Sequence, residues 1–466
     1  MIGSLKRFIL RNLVSPYGLA LFSYGFFLFA WLFPPKLYEQ LMREPDHMFL
    51  DWKSLVFCSI CVAVFLIGAK TSRLSLRSTV SFLFGVKLTG YSSHSEQQRE
   101  TFSLQFQRRC LPLLIPIVIS ALLGCITLAV IGLKTNSFSL ILAEQAQALK
   151  DPNAPTVDLS FWGKLIPLAP IHMAIIWWFA FRLWGAEVSQ ATRRSMTIVL
   201  WIAVLTAIAN SIAHAERVTL MPILVGLFPV WVFTNTKVSM GKSWSFLKPI
   251  AVGAGAVLGL FFLLTLLRGN AQVGDAAQLL LGYTFSSYNR LAATLDGSLR
   301  YTYAGNVQDL CAFCTSNKYL NAVFPYAQFF HIPDAVTTWA TDFTDTGSAG
   351  LVGGYTFASA FAYIFRDIGW WSPLYFLLQG LIVGRAWQSF ERGRVFGLML
   401  YPWCAFSVLF WFGFNVFFND AFFYIIAGAI VLRLYEKLSF GRAAATQAEA
   451  ALPRSVDSPA TLLEGN

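Results

Sequence analysis

The chain has 466 residues, of which 56% are apolar and 13% are charged, and its formal net charge is +11. Soluble domains carry about 25% charged residues, and a soluble fold would leave apolar patches that aggregate, so the composition excludes an ordinary soluble protein. Basic residues stand in short clusters between apolar runs, which is typical of a membrane topology signal. Membrane lipids are therefore expected as partners, and nucleic acid is not.

Apolar runs long enough to cross a bilayer recur along the sequence. A spanning helix needs about 20 apolar residues, so the runs predict an all-α, polytopic integral membrane protein with about ten transmembrane helices. The predicted spans are residues 17–34, 54–69, 111–133, 161–181, 195–213, 218–236, 249–267, 369–388, 396–413 and 415–432. The predicted regions are 1–268 for spans one to seven, 269–353 for one large outer segment, 354–440 for a re-entrant or amphipathic segment and spans eight to ten, and 441–466 for a disordered tail.

The distribution of Lys and Arg predicts the orientation. Clusters of basic residues alternate with apolar spans, and most of them fall on the side that holds both termini. By the positive-inside rule, that side is the cytoplasm. The large segment 269–353 then faces the opposite compartment, which is the periplasm if the membrane is a bacterial inner membrane.

Five arginines lie on the less basic, outer side, where the positive-inside rule disfavours them. Arg217, Arg268, Arg290 and Arg366 are predicted to converge on one anion, because guanidinium groups bind phosphate oxygens bidentately; the fifth is Arg300. The alternative for each is snorkelling to lipid headgroups or pairing with a nearby acid such as Glu216, Asp296 or Asp367.

Acids and imidazoles near these arginines are candidate proton acceptors, because a base beside a cationic pocket can deprotonate a hydroxyl. The candidates are Asp367, Glu216, His214 and Asp345, with Asp342 and His331 as further possibilities. Each could instead form an ion pair or lie at a helix end. Tyr283, Tyr288, Tyr301 and Tyr303 are candidate sugar-stacking residues, although ordinary packing is the alternative for each.

Cys311 and Cys314 form the sequence C-A-F-C in the outer segment. A zinc site would need two further ligands, which the neighbourhood does not supply. A local disulfide would form if the segment faces an oxidising compartment. No metal and no cofactor are expected.

One late stretch resembles a known family. The sequence G-G-Y-T-F-A-S-A-F-A-Y-I-F-R-D-I-G-W-W, Gly353 to Trp371, continues into L-Y-F-L-L-Q-G-L-I-V-G, Leu374 to Gly384. It is similar to the T-F segment, the aromatic–R-D-x-G motif and the two-glycine helix of Wzy-type oligosaccharide repeat-unit polymerases. The matching residues are Thr356, Phe357, Arg366, Asp367, Gly369, Gly380 and Gly384. Residues 283–305 resemble the start of that family's outer loop, and the turn at Arg217 resembles its Ser-Arg turn, except that Glu216 replaces a small residue.

The resemblance implies a fold related to the lipid-linked, GT-C-like glycosyltransferases. It also implies an undecaprenyl-diphosphate-linked oligosaccharide as substrate, a chain-length regulator protein as partner, and polymerisation of an O-antigen or exopolysaccharide at the periplasmic face. Two alternatives stay open. An O-antigen ligase would share the arginine pocket and favour His331 as base, and a flippase or transporter would need internal repeats and polar groups at mid-membrane depth.

Overall fold

The computed structural model describes residues 11–72, 110–114, 117, 169–185, 189–213, 217–237, 255, 259, 276–316, 320, 323–332 and 335–451. All regular secondary structure in these residues is helical, as the sequence predicted. The predicted third and seventh spans, 111–133 and 249–267, lie almost entirely outside the described residues.

The helices are numbered in chain order. The first six are α1 (Pro16–Trp31), α2 (Pro35–Met42), α3 (Trp52–Thr71), α4 (Ala169–Gly185), α5 (Gln190–Ala213) and α6 (Arg217–Lys237). The predicted outer segment and the residues after it form α7 (Ala276–Tyr283), α8 (Phe285–Asp296), α9 (Ala312–Ser316), α10 (Tyr326–Phe329), α11 (Ala335–Ser348) and α12 (Ala360–Ile368). The last three are α13 (Ser372–Glu391), α14 (Val395–Leu409) and α15 (Asp420–Ala451), and 3₁₀ turns at Gly369–Trp371 and Phe410–Phe412 precede α13 and follow α14.

Three helices in the described residues are long and apolar enough to cross a membrane: Trp52–Thr71, Gln190–Ile208 and Val395–Phe412. A fourth span results if the bent pair α1 and α2 is taken as one. Helices also cover predicted spans four, six, eight and ten, and the part of α6 from Met221 to Thr234 is a shorter apolar helix. The structure therefore supports a helical membrane protein with three or four spans in its described part, not the full predicted set of ten.

The bend between α1 and α2 follows from two prolines. Ser15 caps α1 by accepting the N–H of Gly18, and Pro16 occupies the first turn, where no N–H is needed. Pro34 and Pro35 then interrupt the apolar run, and α2 leaves at 88° to α1. The first predicted span thus ends in a short transverse helix.

Glycines bring α13 against α3 along their lengths. Gly380 and Gly384 stand one turn apart on α13, and a Cβ at Gly380 would overlap the carbonyl oxygen of Phe65 on α3. A Cβ at Gly384 would lie 2.6 Å from the carbonyl oxygen of Ala69, and Gly68 makes the reciprocal approach to α13. Small residues at this spacing permit close contact between backbones in membranes, so the two glycines have a packing role.

Contacts at the two ends of the bundle agree with the predicted alternation. At one end Arg11 pairs with Glu391 at 2.6 Å, and Arg182 pairs with Glu436 at 3.0 Å. All four residues belong to the side predicted to be cytoplasmic. At the opposite end, α8 from the outer segment packs on α1, α3 and α12. The four paired residues were thus predicted to lie on one side, and the orientation of the bundle in the membrane stays a prediction.

Exposed tryptophans mark the end of the bundle that carries the outer segment. Trp52 begins α3, and Trp370 and Trp371 precede α13; their exposed fractions are 69%, 65% and 71%. Trp52 contacts Trp31 at the end of α1, with a centroid distance of 6.2 Å. Indole rings concentrate at membrane–water interfaces, and exposed rings at these helix ends fit that pattern.

The last helix extends further than the sequence predicted. Residues 441–466 were predicted to be a disordered tail, but α15 continues to Ala451. The stretch A-A-A-T-Q-A-E-A-A consists mostly of strong helix formers, which explains the continuation.

Candidate functional site

The R-D-x-G segment lies at the end of α12. Ser359 caps the start of this helix by accepting the N–H of Ala362, and Gly369 follows its end with φ +57°. A positive φ favours glycine, which gives the motif glycine a structural reason. Arg366 and Asp367 therefore occupy the last helical turn, and both are buried.

Arg366 is held by two carboxylates and two aromatic rings. Its Nη1 donates to both oxygens of Asp342 at 2.9 Å, and its Nη2 donates to Asp309. The guanidinium carbon lies 4.9 Å from the ring centroids of both Tyr301 and Tyr363. We call Arg366, Asp367, Asp309, Asp342, Tyr301 and Tyr363 the Arg366 cluster. Cation–π contact and ion pairing together compensate the buried charge.

Asp367 binds backbone and not Arg366. Its Oδ2 accepts the N–H groups of Asp309 at 2.6 Å and Leu310 at 2.8 Å, whereas Oδ1 is buried and has no hydrogen-bond partner among the described residues. Burial, followed by the nearby charge of Asp309, raises the pKa of Asp367 to about 8. Burial likewise raises the pKa of Asp342 to about 6, although Arg366 opposes the shift. Asp367 is thus a largely protonated acid at neutral pH.

Asp345 fastens the loop that follows α8 to α11. Its carboxylate accepts the backbone N–H of Thr302 at 2.7 Å and the Thr302 hydroxyl at 2.8 Å. The same loop returns to α12, because the N–H of Gly305 donates to the carbonyl of Arg366 at 2.9 Å. Asp345 was predicted as a base, and its contacts are those of a residue that positions Tyr301 over Arg366.

Arg290 lies in a second, fully enclosed cluster. Its Nη1 and Nη2 donate to the two oxygens of Glu44 at 3.0 and 3.1 Å, and both side chains have 0% exposure. Glu44 also accepts the hydroxyl of Tyr38, the amide of Asn289 at 3.2 Å and the N–H of Val352 at 2.8 Å. Burial would raise the pKa of Glu44, but Arg290 and the hydrogen bonds lower it below its ordinary value. We call these residues the Arg290 cluster.

The arginine contacts differ from those predicted. Arg290 and Arg366 were expected to line one diphosphate cavity, but each guanidinium is enclosed by carboxylates of its own cluster. A buried cation without such a partner would be strongly destabilising, so an acid accompanies each. Arg217 begins α6, but its side chain is not described, and Arg268, His214 and Glu216 lie outside the described residues. Their predicted roles stay predictions.

The four predicted sugar-binding tyrosines are separated by the fold. Tyr288 is fully buried against Phe27, and Tyr301 lies over Arg366, so both rings make interior contacts. Tyr283 packs edge-on against Tyr355 with a centroid distance of 5.6 Å, and Tyr303 is half-buried. Tyr283 and Tyr303 retain partly accessible rings, whereas the contacts of the other two do not favour stacking on a sugar.

Cys311 and Cys314 form a disulfide directly after Asp309 and Leu310. The N–H of Phe313, inside this loop, donates to the carbonyl of Phe418 at 2.9 Å and ties it to the residues before α15. The sequence had left the disulfide dependent on the compartment. No cluster of metal-ligating side chains occurs among the described residues.

Three important residues were not singled out from the sequence. Glu44 and Asp309 neutralise the two arginines, and His47 contacts Asp296. The only sequence signal was an acid-rich turn, R-E-P-D-H, between the first two predicted spans. Its partners lie more than two hundred residues away, so the pairing could not be read from spacing.

Comparisons with protein-family models, curated proteins and solved structures find no match to this chain.

Proposed function

We propose that this chain is a glycosyltransferase that polymerises lipid-diphosphate-linked oligosaccharide repeat units. The observation that carries the proposal is the Arg366 cluster: the two adjacent motif residues, Arg366 and Asp367, bind two separate parts of the outer segment, Asp309 and Asp342. The motif segment is thus the organising centre of the part of the chain that would receive a glycan substrate. The GT-C-like relation belongs to the same proposal.

The cluster offers one exchangeable position for an anion. Asp309 is 19% exposed at its side chain and Asp342 only 6%, so Asp309 is the partner that a phosphate oxygen would replace at Arg366 Nη2. Asp342 would stay bound at Nη1 and hold the guanidinium plane. A cation positioned in this way stabilises the charge that develops on a leaving diphosphate.

Asp367 would supply a proton beside this position. Its carboxyl group is largely protonated near neutral pH. Oδ2 already accepts two backbone N–H groups, so the proton resides on Oδ1, which has no hydrogen-bond partner among the described residues. A neutral acid close to the departing phosphate oxygen lowers the barrier by general acid catalysis. Both residues thus act on the leaving group.

The proposal includes an orientation in the bacterial inner membrane. Both termini and Lys242 would be cytoplasmic, and the Arg366 cluster would face the periplasm. Reporter fusions after Lys242, near Asp309 and at the C-terminus test this arrangement. A cytoplasmic signal near Asp309 would overturn the orientation.

Polymer formation by the purified full-length protein tests the activity, with polyprenyl-diphosphate-linked repeat units as the only substrate. We expect Arg366→Ala to lower the rate by about 30- to 1,000-fold, which corresponds to about 2–4 kcal/mol of lost transition-state stabilisation. Arg366→Lys should retain partial activity, because lysine keeps the positive charge but cannot donate two parallel hydrogen bonds as a guanidinium group does. Arg300→Ala is the matched control: among the described residues this exposed arginine bonds to the carbonyl of Gly297 alone, so its rate should not change.

The products separate the alternatives. In a deletion strain, loss of the ladder with one repeat retained on the acceptor supports a polymerase. Loss of every attached repeat would instead indicate a ligase. Unchanged polymer from Arg366→Ala would remove the structural support for the proposal.

A further inference from the structure

The loop between α2 and α3 holds His47 in a fixed position. The N–H of His47 donates to the amide oxygen of Asn289 at 2.7 Å, beside Arg290 on α8. The next two N–H groups, of Met48 and Phe49, donate to Asp46 at 2.9 and 3.1 Å. A histidine on this loop is therefore as well anchored as a residue within a helix.

The imidazole ring is oriented by a carboxylate. His47 Nδ1 lies 3.1 Å from Oδ2 of Asp296 and 3.3 Å from the hydroxyl oxygen of Ser298. The second oxygen of Asp296 accepts the N–H of Ser298 at 2.8 Å. Although burial opposes it, bonding to Ser298 and His47 lowers the pKa of Asp296, so the group is an ionised acceptor. A carboxylate at Nδ1 favours the tautomer in which Nδ1 carries the hydrogen and Nε2 the lone pair.

The ring also remains accessible. The His47 side chain is 21% exposed, and Nε2 has no hydrogen-bond partner among the described residues. Of the acids that were predicted as bases and are described, Asp345 and Asp367 are bound to backbone N–H groups and Asp342 is paired with Arg366. Of the described candidates, His47 alone combines an orienting carboxylate with a free, accessible acceptor atom.

The pair lies beside the Arg290 cluster and is joined to the Arg366 cluster by a short stretch of chain. Asp296 ends α8, the helix that carries Arg290, and the chain then continues to Tyr301, whose ring lies over Arg366. On the other side, Glu44 of the Arg290 cluster is on the same loop as His47. His47 and Asp296 are thus at the end of the bundle where the proposed donor and acceptor would bind.

We infer that His47 is the proton acceptor for the sugar hydroxyl that attacks the donor, with Asp296 as its positioning residue; the inference rests on the proposed function. The hydroxyl proton moves to Nε2 while the hydroxyl oxygen forms a bond to the anomeric carbon of the donor. The bond from that carbon to the diphosphate oxygen breaks, and its electron pair leaves with the lipid diphosphate. The imidazolium then returns its proton to solvent.

The test compares matched substitutions in the full-length protein with lipid-linked repeat units. We expect His47→Gln to lower kcat by about 10²- to 10⁴-fold, the usual range for a general base, with little change in KM. Asp296→Asn should also lower kcat, because an amide at Nδ1 favours the tautomer with hydrogen on Nε2. Asp46→Asn is the control: it removes the same charge one residue from His47, and its amide oxygen can still accept the two N–H groups, so its kcat should equal the wild-type value.

The pH profile separates a base from a structural residue. The charged groups that contact or neighbour the ring are Asp296 from α8 and Asp46 from its own loop. The kcat of wild type and that of Asp46→Asn should follow the same pH profile, whereas the residual activity of His47→Gln should follow a different one. Wild-type kcat in His47→Gln, or an equal loss in Asp46→Asn, would overturn the inference and leave the proposed function standing. A wild-type protein that forms no polymer would overturn both.

Discussion

Removing Glu44 should destabilise the protein strongly, because it leaves Arg290 charged and unpaired in the interior. The Glu44 carboxylate accepts hydrogen bonds from Tyr38, Asn289, Val352 and both terminal nitrogens of Arg290, and its side chain has 0% exposure. Breaking one partner of a buried pair costs about 3–5 kcal/mol. Glu44→Leu should therefore lower the free energy of unfolding by an amount in that range.

A double-mutant cycle isolates the ion pair from the rest of the loss. Arg290→Met alone leaves Glu44 unpaired and should cost a similar amount, but Glu44→Leu with Arg290→Met removes both charges and should cost much less than the sum. Unfolding of the purified protein in mixed micelles, followed by circular dichroism, measures each free energy. Additive losses in the double variant would refute the reasoning.

The exposed pair Arg11–Glu391 is the matched control. Its side chains are 53% and 23% exposed, so Arg11→Met should change stability by less than about 1 kcal/mol.

The pH dependence of stability that Glu44 causes has a fixed sign. Because the pKa of Glu44 is lowered in the folded protein, its stabilisation is present above the ordinary pKa of glutamate and is lost as pH falls through the lowered value.

Three further predictions concern packing, protonation and the disulfide. Gly380→Val should separate α3 from α13, because its Cβ would overlap the Phe65 carbonyl; a loss of about 1–3 kcal/mol in unfolding free energy is expected, and an unchanged midpoint would contradict it. The pKa of Asp367 is raised from an ordinary 3.8 to about 8 in the folded protein. Its contribution to stability is therefore complete below pH 3.8 and is progressively lost up to about pH 8. Asp367→Asn should flatten this decline in the free energy of unfolding with pH. Replacing Cys311 and Cys314 together by Ser should leave polymer length on gels unchanged, because their disulfide closes a very short loop; a shortened polymer would show that it positions the N–H groups bound to Asp367.

The sequence singled out the Arg366 segment but did not reveal the partners of its charges. Adjacent residues on a helix point in different directions, so the pair of Arg366 with Asp367 was not required by the sequence, and it does not form. The identity of the partners was not accessible, because Asp309 and Asp342 were two among many acids in the outer segment. The sequence left open whether each arginine binds a shared anion or a nearby acid, and the acids that pair with Arg290 and Arg366 in the structure are not the ones named as possible partners.

By itself the sequence determined that the protein is a helical membrane protein and where several of its helices lie. Apolar run length and the placement of Lys and Arg are local properties of the chain, and the bilayer acts on them one segment at a time. Only the tertiary structure decided which charges meet. Glu44 and Arg290 are 246 residues apart, and His47 and Asp296 are 249 apart, so their contacts exist only once α1, α3 and α8 have packed together. Burial then fixed the pairings, because a charge removed from water is tolerated only beside an opposite charge or a hydrogen-bond donor.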